Sequence, residues 1–583
     1  MTALRVWPLV VACSLLHVGC RLEPVSKSSS QSPREGDSPG DAANDGAPAM
    51  PVPPVDGPAA RPQGQPEDKS SGGTLSLAGL RASRTSCVSP CSVMFSIDAI
   101  EDAADPNPFA HSGVYWDYGD AQADARDGLI ERGATHRQTG RGVSRQSDTN
   151  TPVGMHTYVC ESGTCRFHPG VTVQNAAGDW VTAWSTVEVR AQSTAYPKTR
   201  TVCVSATGQW GGDDPCPADA SRARSLPTMG NWRSDTRYLL RRGERFDVRR
   251  SCIAYGRRGI TITGFGNATD PKPELGMFGV GRGRSCADPT TTDRDIASYR
   301  VPHWIEDVTL ADLRVAAVGL GMAFKNVTLH DLDMDFERQA EGGVIFSAAT
   351  RRCRRDDQLS CGRVPLPYGL YVSGSTVIGS RTKPPGVNIA MVDDACVSFF
   401  GILDSEVRLA AEHNVRVECS SRLLVAHSDI NAGHIGGKGR KCAVTIRPEG
   451  SLAQDMLLGR RKDAKTRAEM FESRYTVLKD LYLSNPKREG ENSARLQIAP
   501  TQARDAEVTR FGVVSGNYVD MQGTGPFADA RLAGTGLVCY DDNRWESQTG
   551  CTDGPRGAIP SGGFEPSEVD FPAPAVPKPP STY

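Results

Sequence analysis

The sequence predicts an all-β chain in two parts, a β-sandwich followed by a parallel β-helix. Three observations carry that expectation. Sixty Gly and 40 Pro against 7% aromatic residues favour many turns and short strands over long helices. The stretch TSCVSPCSVMFSIDAIED, residues 85–102, alternates apolar and polar residues with the period of a half-buried strand. Finally, CVSFFGILDSEV begins at Cys396, CSSRLLVAHSDI at Cys419 and CAVTIRPEG at Cys442, one fixed interval of 23 residues with hydrophobic positions keeping step.

The chain has 583 residues, 38% of them hydrophobic, enough for several cores, and its balance of −2 with a pI near 6.6 gives no overall basic field. Nucleic acid is therefore not an expected partner. Residues 1–19, with Arg5 ahead of an apolar run, read as an export signal. The end of that run, His17-Val18-Gly19-Cys20, resembles the bacterial lipobox, and the resemblance implies lipidation at Cys20 and attachment to the outer membrane or cell surface. His17 departs from the aliphatic residue usual at its position. Residues 20–74 have almost nothing to bury and read as a disordered tether, and 556–583 as a Pro-rich tail. In an exported chain, six close pairs are disulfide candidates: Cys87/Cys91, Cys160/Cys165, Cys203/Cys216, Cys252/Cys286, Cys353/Cys361 and Cys539/Cys551. Pairing of Cys87 or Cys91 with Cys160 or Cys165 is an equal alternative.

Residues 75–192 form the sandwich. After the first strands the chain breaks at DPNP, continues as GVYWDYGDA, and later runs through GMHTYVC and RFHPGVTVQNAAGDWVTAWSTVEVRA. YWDYGD (Tyr115 to Asp120), HTY (His156 to Tyr158) and VTVQNAAGDW (Val171 to Trp180) resemble, in order, the signature segments of the PKD domain. That resemblance implies an immunoglobulin-like fold with Trp116 and Tyr158 in the core, Asp117 and Asp120 forming turns, and a role as spacer or contact module.

Residues 197–555 form the helix. In the repeats, Cys396, Ser398, Phe400 and Ile402 share one strand parity, as do Cys419, Ser421, Leu423 and Val425. Leucine-rich repeats have this length too, but their LxxLxLxxN pattern is absent. DVTLADLRV (Asp307 to Val315), NVTLHDLDM (Asn326 to Met334) and YTVLKDLYL (Tyr475 to Leu483) each shift the phase of alternation midway, and a tight corner at His330-Asp331 explains the shift. The segment YLLRRGERFDVRRSCIAYGRRGITITGFGNATDPKPELG resembles the opening coils of pectate-lyase-like proteins, which implies a right-handed parallel β-helix of roughly ten coils. Residues 452–474 have the composition of an excursion from the coil.

Two regions can carry chemistry. DLDMDFE places Asp331, Asp333 and Asp335 at alternate positions, opposite Leu332 and Met334, with Asp312 one coil earlier. Carboxylates ~7 Å apart on a strand can hold Ca²⁺, the only cofactor the sequence points to, and none is required. The same stripe also reads as a solvated strand face. The second region gathers His413, Arg416, His427, His434, Lys438, Lys441 and Arg447 within 35 residues. As a loop it would contact carbohydrate through His413, Arg416, His434, Lys438, Lys441 and Arg447. As a catalytic group it would use Arg416, His427 and Lys438, with Asp404 one repeat before His427. No compact catalytic constellation is present, so the first reading is a cell-surface protein binding polysaccharide or another surface component. The alternative is a polysaccharide lyase or glycoside hydrolase on acidic polysaccharide.

Overall fold

The computed structural model describes most of residues 75–281 and, beyond them, the strands of a coil running from 304 to 545. Residues 1–74, 121–146, 282–303, 348–367, 447–474 and 546–583, together with shorter stretches, lie outside the described residues. The expected signal, lipidation site, tether and tail therefore all fall outside them.

The sandwich is built mainly from antiparallel strands, with Val187–Arg190 parallel to Ser86–Val88. Trp180–Trp184, Gly170–Gln174, Gly113–Asp117 and Ser147–Thr149 form one sheet in that order, and Arg81–Ala82, Cys91–Ser96 and Val153–Tyr158 another. Phe95, Trp116, Tyr158, Val171, Val173, Val187 and Val189 fill the space between, each withdrawn from solvent. Trp116 and Tyr158 thus occupy the core that the sequence assigned them. Asp117 does form a turn, accepting from the Gly119 N–H at 2.8 Å. Asp120 is buried, its Oδ2 3.1 Å from His156 Nε2. Disulfides Cys87–Cys91 and Cys160–Cys165 close the loops at this end, so the close pairing holds over the crossed one.

Beyond Tyr196, whose hydroxyl meets Thr261 Oγ1 at 2.9 Å, the chain begins to coil. Thr201–Val204, Thr236–Arg241, Arg258–Phe265, Ile305–Leu320, Phe324–Asp335, Tyr368–Ser373, Ala395–Leu403 and Arg422–Ala426 pair in parallel, each with the next. The row continues through Tyr475–Lys479, Gly512–Ser515 and Leu537–Cys539. A second parallel row follows it around one corner (Thr376–Ile378, Glu406–Arg408, Asp429–Asn431, Tyr482–Ser484), and a third includes Val415–Ser420 and Val444–Ile446. The chain is thus an all-β molecule whose second part is a parallel β-helix. Disulfide Cys203–Cys216 pins its first coil. Cys252 is disulfide-bonded, with Cys286 outside the described residues; Cys353, Cys361 and Cys551 lie outside them too, and Cys539 ends a strand.

Two columns of left-handed residues make the first row's corners. Asp235, Gly259, Asp307, Asn326, Gly369 and Phe399 form one; Asp312, Asp331, Gly374, Asp404 and His427 form the other, five residues further along. Asp and Asn tolerate this conformation because their short polar side chains bond locally, whereas other residues lose roughly 1–2 kcal/mol in it. Asp331, with φ of 50°, is the corner that the phase shift in NVTLHDLDM required. Between the columns, Val308 and Leu310, Val327 and Leu329, Leu370 and Val372, Phe400 and Ile402, and Leu423 and Val425 stack inward as one core. Just after the second corner, Ser375, Ser405 and Ser428 form a buried ladder. Ser405 Oγ donates to Leu403 O at 2.8 Å and accepts from Ser375 N at 3.3 Å, and Ser428 repeats the pattern one coil on.

One expectation needs correcting. Cys396 and Cys419 are register partners, as the 23-residue interval implied. However, Phe399 is left-handed (φ 59°), which inverts the alternation: Val397 joins the core with Phe400, and Ser398, partly exposed, does not share the inward row of Phe400 and Ile402. Cys442 lies outside the described residues.

The sandwich is packed onto the outer side of the helix's first row. Met94, Val153 and Met155 form a single buried cluster with Tyr371, Phe399, Leu403, Leu424 and Ala426. Gly401 stands beneath Met155, where a β-carbon would collide with the sulfur. Two arginines clasp the junction. Arg84, buried, donates to Ser92 O at 2.6 Å and Thr328 Oγ1 at 2.8 Å and lies 4.9 Å from the Tyr371 ring centre. Arg422 donates to Ser96 Oγ at 2.7 Å while covering the Phe399 ring at 4.7 Å. Each fully buried side chain of the Met, Leu or Phe class stabilises by roughly 1.5–3 kcal/mol, so the cluster holds the two parts together firmly. The sandwich thus covers part of the outer face of the first row.

Candidate functional site

Beside the part of the first row that the sandwich covers lie the second corner column and the second row. The phase change at each corner turns alternate residues outward, and register then stacks them. Glu274, Arg314, Asp333, Thr376 and Glu406 are successive partners along that row, followed in register by Asp429, which is buried. Consecutive members stand about 4.8 Å apart at the backbone.

The acidic stripe sits at the start of this face. Leu332 and Met334 enter the core and Asp333 faces outward, as alternation predicted. Asp331 is a corner residue rather than a strand residue, yet still reaches the same cation. Lys272, only 13% exposed, places Nζ 2.9 Å from Asp331 Oδ1 and 3.4 Å from Asp333 Oδ1, and donates to Asp331 O at 2.7 Å. Asp312 is ion-paired with Arg242. Burial pushes the Asp312 carboxyl up from its ordinary value, the Asp331 charge adds to this, and Arg242 and Lys272 oppose it. These two cations hold together a column of carboxylates that would otherwise repel. Lys272 Nζ occupies the position between Asp331 and Asp333 that a bound cation would take. No group of three or more His, Cys, Asp or Glu among the described residues could hold a metal ion. Asp331 and Asp333 share Lys272 as their cation, and Asp335 is described only as a backbone partner of Ile378.

Asp404 and His427 are neighbours across coils, flanked by the pairs Leu403↔Ala426 and Glu406↔Asp429. The Asp404 N–H donates to Ala426 O at 3.3 Å. His427 is a buried corner residue, 5% exposed. Arg416 belongs to a third-row strand, paired with Thr445, so it and His427 stand on different sides of a corner. His413, His434, Lys438, Lys441 and Arg447 lie outside the described residues; His434, Lys438 and Lys441 follow the second-row strand Asp429–Asn431 in sequence.

Two features escaped sequence reasoning. Glu406 and Asp429 are adjacent carboxylates on successive coils, with Arg408 Nη1 3.0 Å from Glu406 Oε1; the motif D/H-S-E/D at 404–406 and 427–429 was the available signal. His330 is half-buried under the sandwich, its Nδ1 2.9 Å from Ser373 Oγ, which also meets Thr157 Oγ1 at 3.1 Å. Burial lowers the proton affinity of His330; Asp331 opposes this and Lys272 adds to it.

No protein-family model and no curated protein matches the chain. Among solved structures, a family 28 exopolygalacturonase of Yersinia enterocolitica aligns over 82% of this chain and 99% of its own, at 9% identity and a TM-score of 0.27. A likeness that distant carries no argument about activity.

Proposed function

We propose that the protein is an exported, surface-attached polysaccharide-binding protein whose contact face is the second row of its β-helix. One observation carries this reading: the outer residues Tyr371, Phe399, Leu403, Leu424 and Ala426 of the first row are apolar and covered by the sandwich, while the second row stacks the polar residues Arg314, Asp333, Thr376 and Glu406 in register. A flat polar ladder of even spacing suits an extended polymer with repeating hydroxyls better than a compact ligand, which binds in concave, mostly apolar pockets. The PKD-like sandwich serves as a structural cover, and Cys20 as the lipid anchor, so that Cys20→Ala releases the protein from membranes. The direct test is retardation of the full chain in native gels cast with neutral or acidic polysaccharides. Retardation by at least one supports the reading, and unchanged mobility in all of them ends it.

A hydrolase reading has one observation in its favour. Glu406 and Asp429 place two carboxylates on neighbouring coils, and retaining glycosidases separate theirs by about 5–5.5 Å. Release of reducing ends from a retarding polysaccharide, abolished by Glu406→Gln and by Asp429→Asn, would establish it; a binding protein releases none.

A further inference from the structure

The first coils carry a charge that the rest of the chain does not. From Lys198 to Arg258 there are 13 Lys and Arg against 6 Asp and Glu, a local excess of +7 in a chain whose total is −2, and 12 of the 13 cations are arginine. Several are consumed internally: Lys198 by Asp219, Arg241 by Asp270, Arg242 by Asp312 and Arg245 by Glu274. Four others converge on the turn at 228–235. Arg200 Nη1 donates to Ser234 O at 3.1 Å, and Arg257 Nη2 to Gly230 O at 2.9 Å. The Arg258 N–H donates to Ser234 Oγ at 3.2 Å, and Arg233, exposed, lies within the turn itself.

Among the described residues, no carboxylate lies within ion-pair distance of Arg200, Arg233 or Arg257. Asp235 is 3.9 Å from Arg258, and both are more than half exposed, a pairing that water largely screens. Arg200 and Arg257 are tied to main-chain carbonyls by one N–H each, which leaves most of each guanidinium's five donors for a partner. Holding the side chains in place beforehand lowers the ordering cost of binding, and the planar fork matches carboxylate and sulfate oxygens in pairs. A merely solvated face would intersperse its cations evenly with carboxylates; here, among the described residues, the cations outnumber the carboxylates beside them, Asp235 and Glu306, the register neighbour of Arg258, being two of these.

We propose that this arginine corner is a binding site for an anionic polysaccharide, engaging carboxylate or sulfate groups on successive sugars. The inference rests on the polysaccharide-binding reading and supplies its ligand class and a second contact region. Nucleic acid is disfavoured because Trp232, the aromatic ring in the turn, is fully buried and offers no stacking platform. The disulfides also suit an oxidising compartment, outside the cytosol. A lipid surface is disfavoured because the two intervening carboxylates suit charges spaced along a chain better than a continuous plane of headgroups.

The test uses the full chain and its triple variant Arg200→Gln/Arg233→Gln/Arg257→Gln, with labelled polygalacturonate, heparin and dextran, a single-stranded oligonucleotide, and vesicles containing phosphatidylglycerol. The expected result is binding to polygalacturonate or heparin that weakens steeply with added salt, weakens at least ~10-fold in the triple variant, and has a shallower salt slope there. Which of the two polymers is preferred tells carboxylate from sulfate. Should the triple variant unfold, Arg233→Gln alone, whose side chain holds no carbonyl, should still weaken binding severalfold. Undiminished binding by a folded triple variant, or preference for the oligonucleotide or vesicles, overturns the arginine corner. If the native chain binds no polysaccharide at all, the broader reading falls with it; if it binds and the variant is unaffected, only the corner falls.

Discussion

Lys272 is the residue on which the acidic stripe turns. Its ammonium joins Asp331 and Asp333, so Lys272→Met should leave two carboxylates facing each other and lower stability by about 1–3 kcal/mol. The native chain should melt at the same temperature with Ca²⁺ or with a chelator, whereas the variant should be raised by Ca²⁺; a native melting point that rises with Ca²⁺ would restore the stripe as a metal site. His330 gives the junction a pH dependence. Burial is the main cause that holds its proton affinity below the ordinary value, with Lys272 acting in the same direction. A group held neutral in this way contributes its stability above the unfolded pKa of about 6.5, and loses it as the pH falls through the lower folded value. Melting temperature should therefore drop on mild acidification, and His330→Asn should flatten that part of the profile. The αL aspartates were legible at this scale because their phase shifts showed in the sequence. Phe399 was not, since nothing about a phenylalanine announces a left-handed corner, and Ser398 was assigned the face of Phe400 as a result.

At the scale of elements, the coil could be read because each strand alternates locally and its neighbour in space repeats the pattern one coil later. The serine ladder was written in the same repeats, at Ser405 and Ser428, but a lone buried hydroxyl has no periodic signature. The docking of the sandwich could not be read at all. Arg84 and Thr328 lie 244 positions apart, Arg422 and Ser96 326 apart, and no local pattern links them. Gly401 is the best single probe of that junction. Gly401→Val would drive a side chain into Met155, and overpacking of this kind costs about 1–3 kcal/mol. Limited proteolysis should then release the sandwich as a separate fragment, and Met155→Ala in the same chain should reverse the effect. A variant as resistant as the native chain would mean that the two parts are not held by this cluster.

For the whole molecule, the sequence sufficed for the class of each part and for most strand positions, because both depend on alternation and spacing. Which face is free depends on the docking, and so the candidate site was only half visible: the stripe was found, but its internal cation, the Glu406–Asp429 pair and the covered first row were not. Together these features make one face of the helix a structural seam and the next a polar surface. Hydrogen–deuterium exchange of the full chain, with and without a polysaccharide that retards it, tests that division directly. Protection should appear in Thr376–Ile378, Glu406–Arg408 and Asp429–Asn431, and leave Tyr368–Ser373 and Arg422–Ala426 unchanged. Protection confined to the first-row strands, with the second row unaffected, would contradict the account.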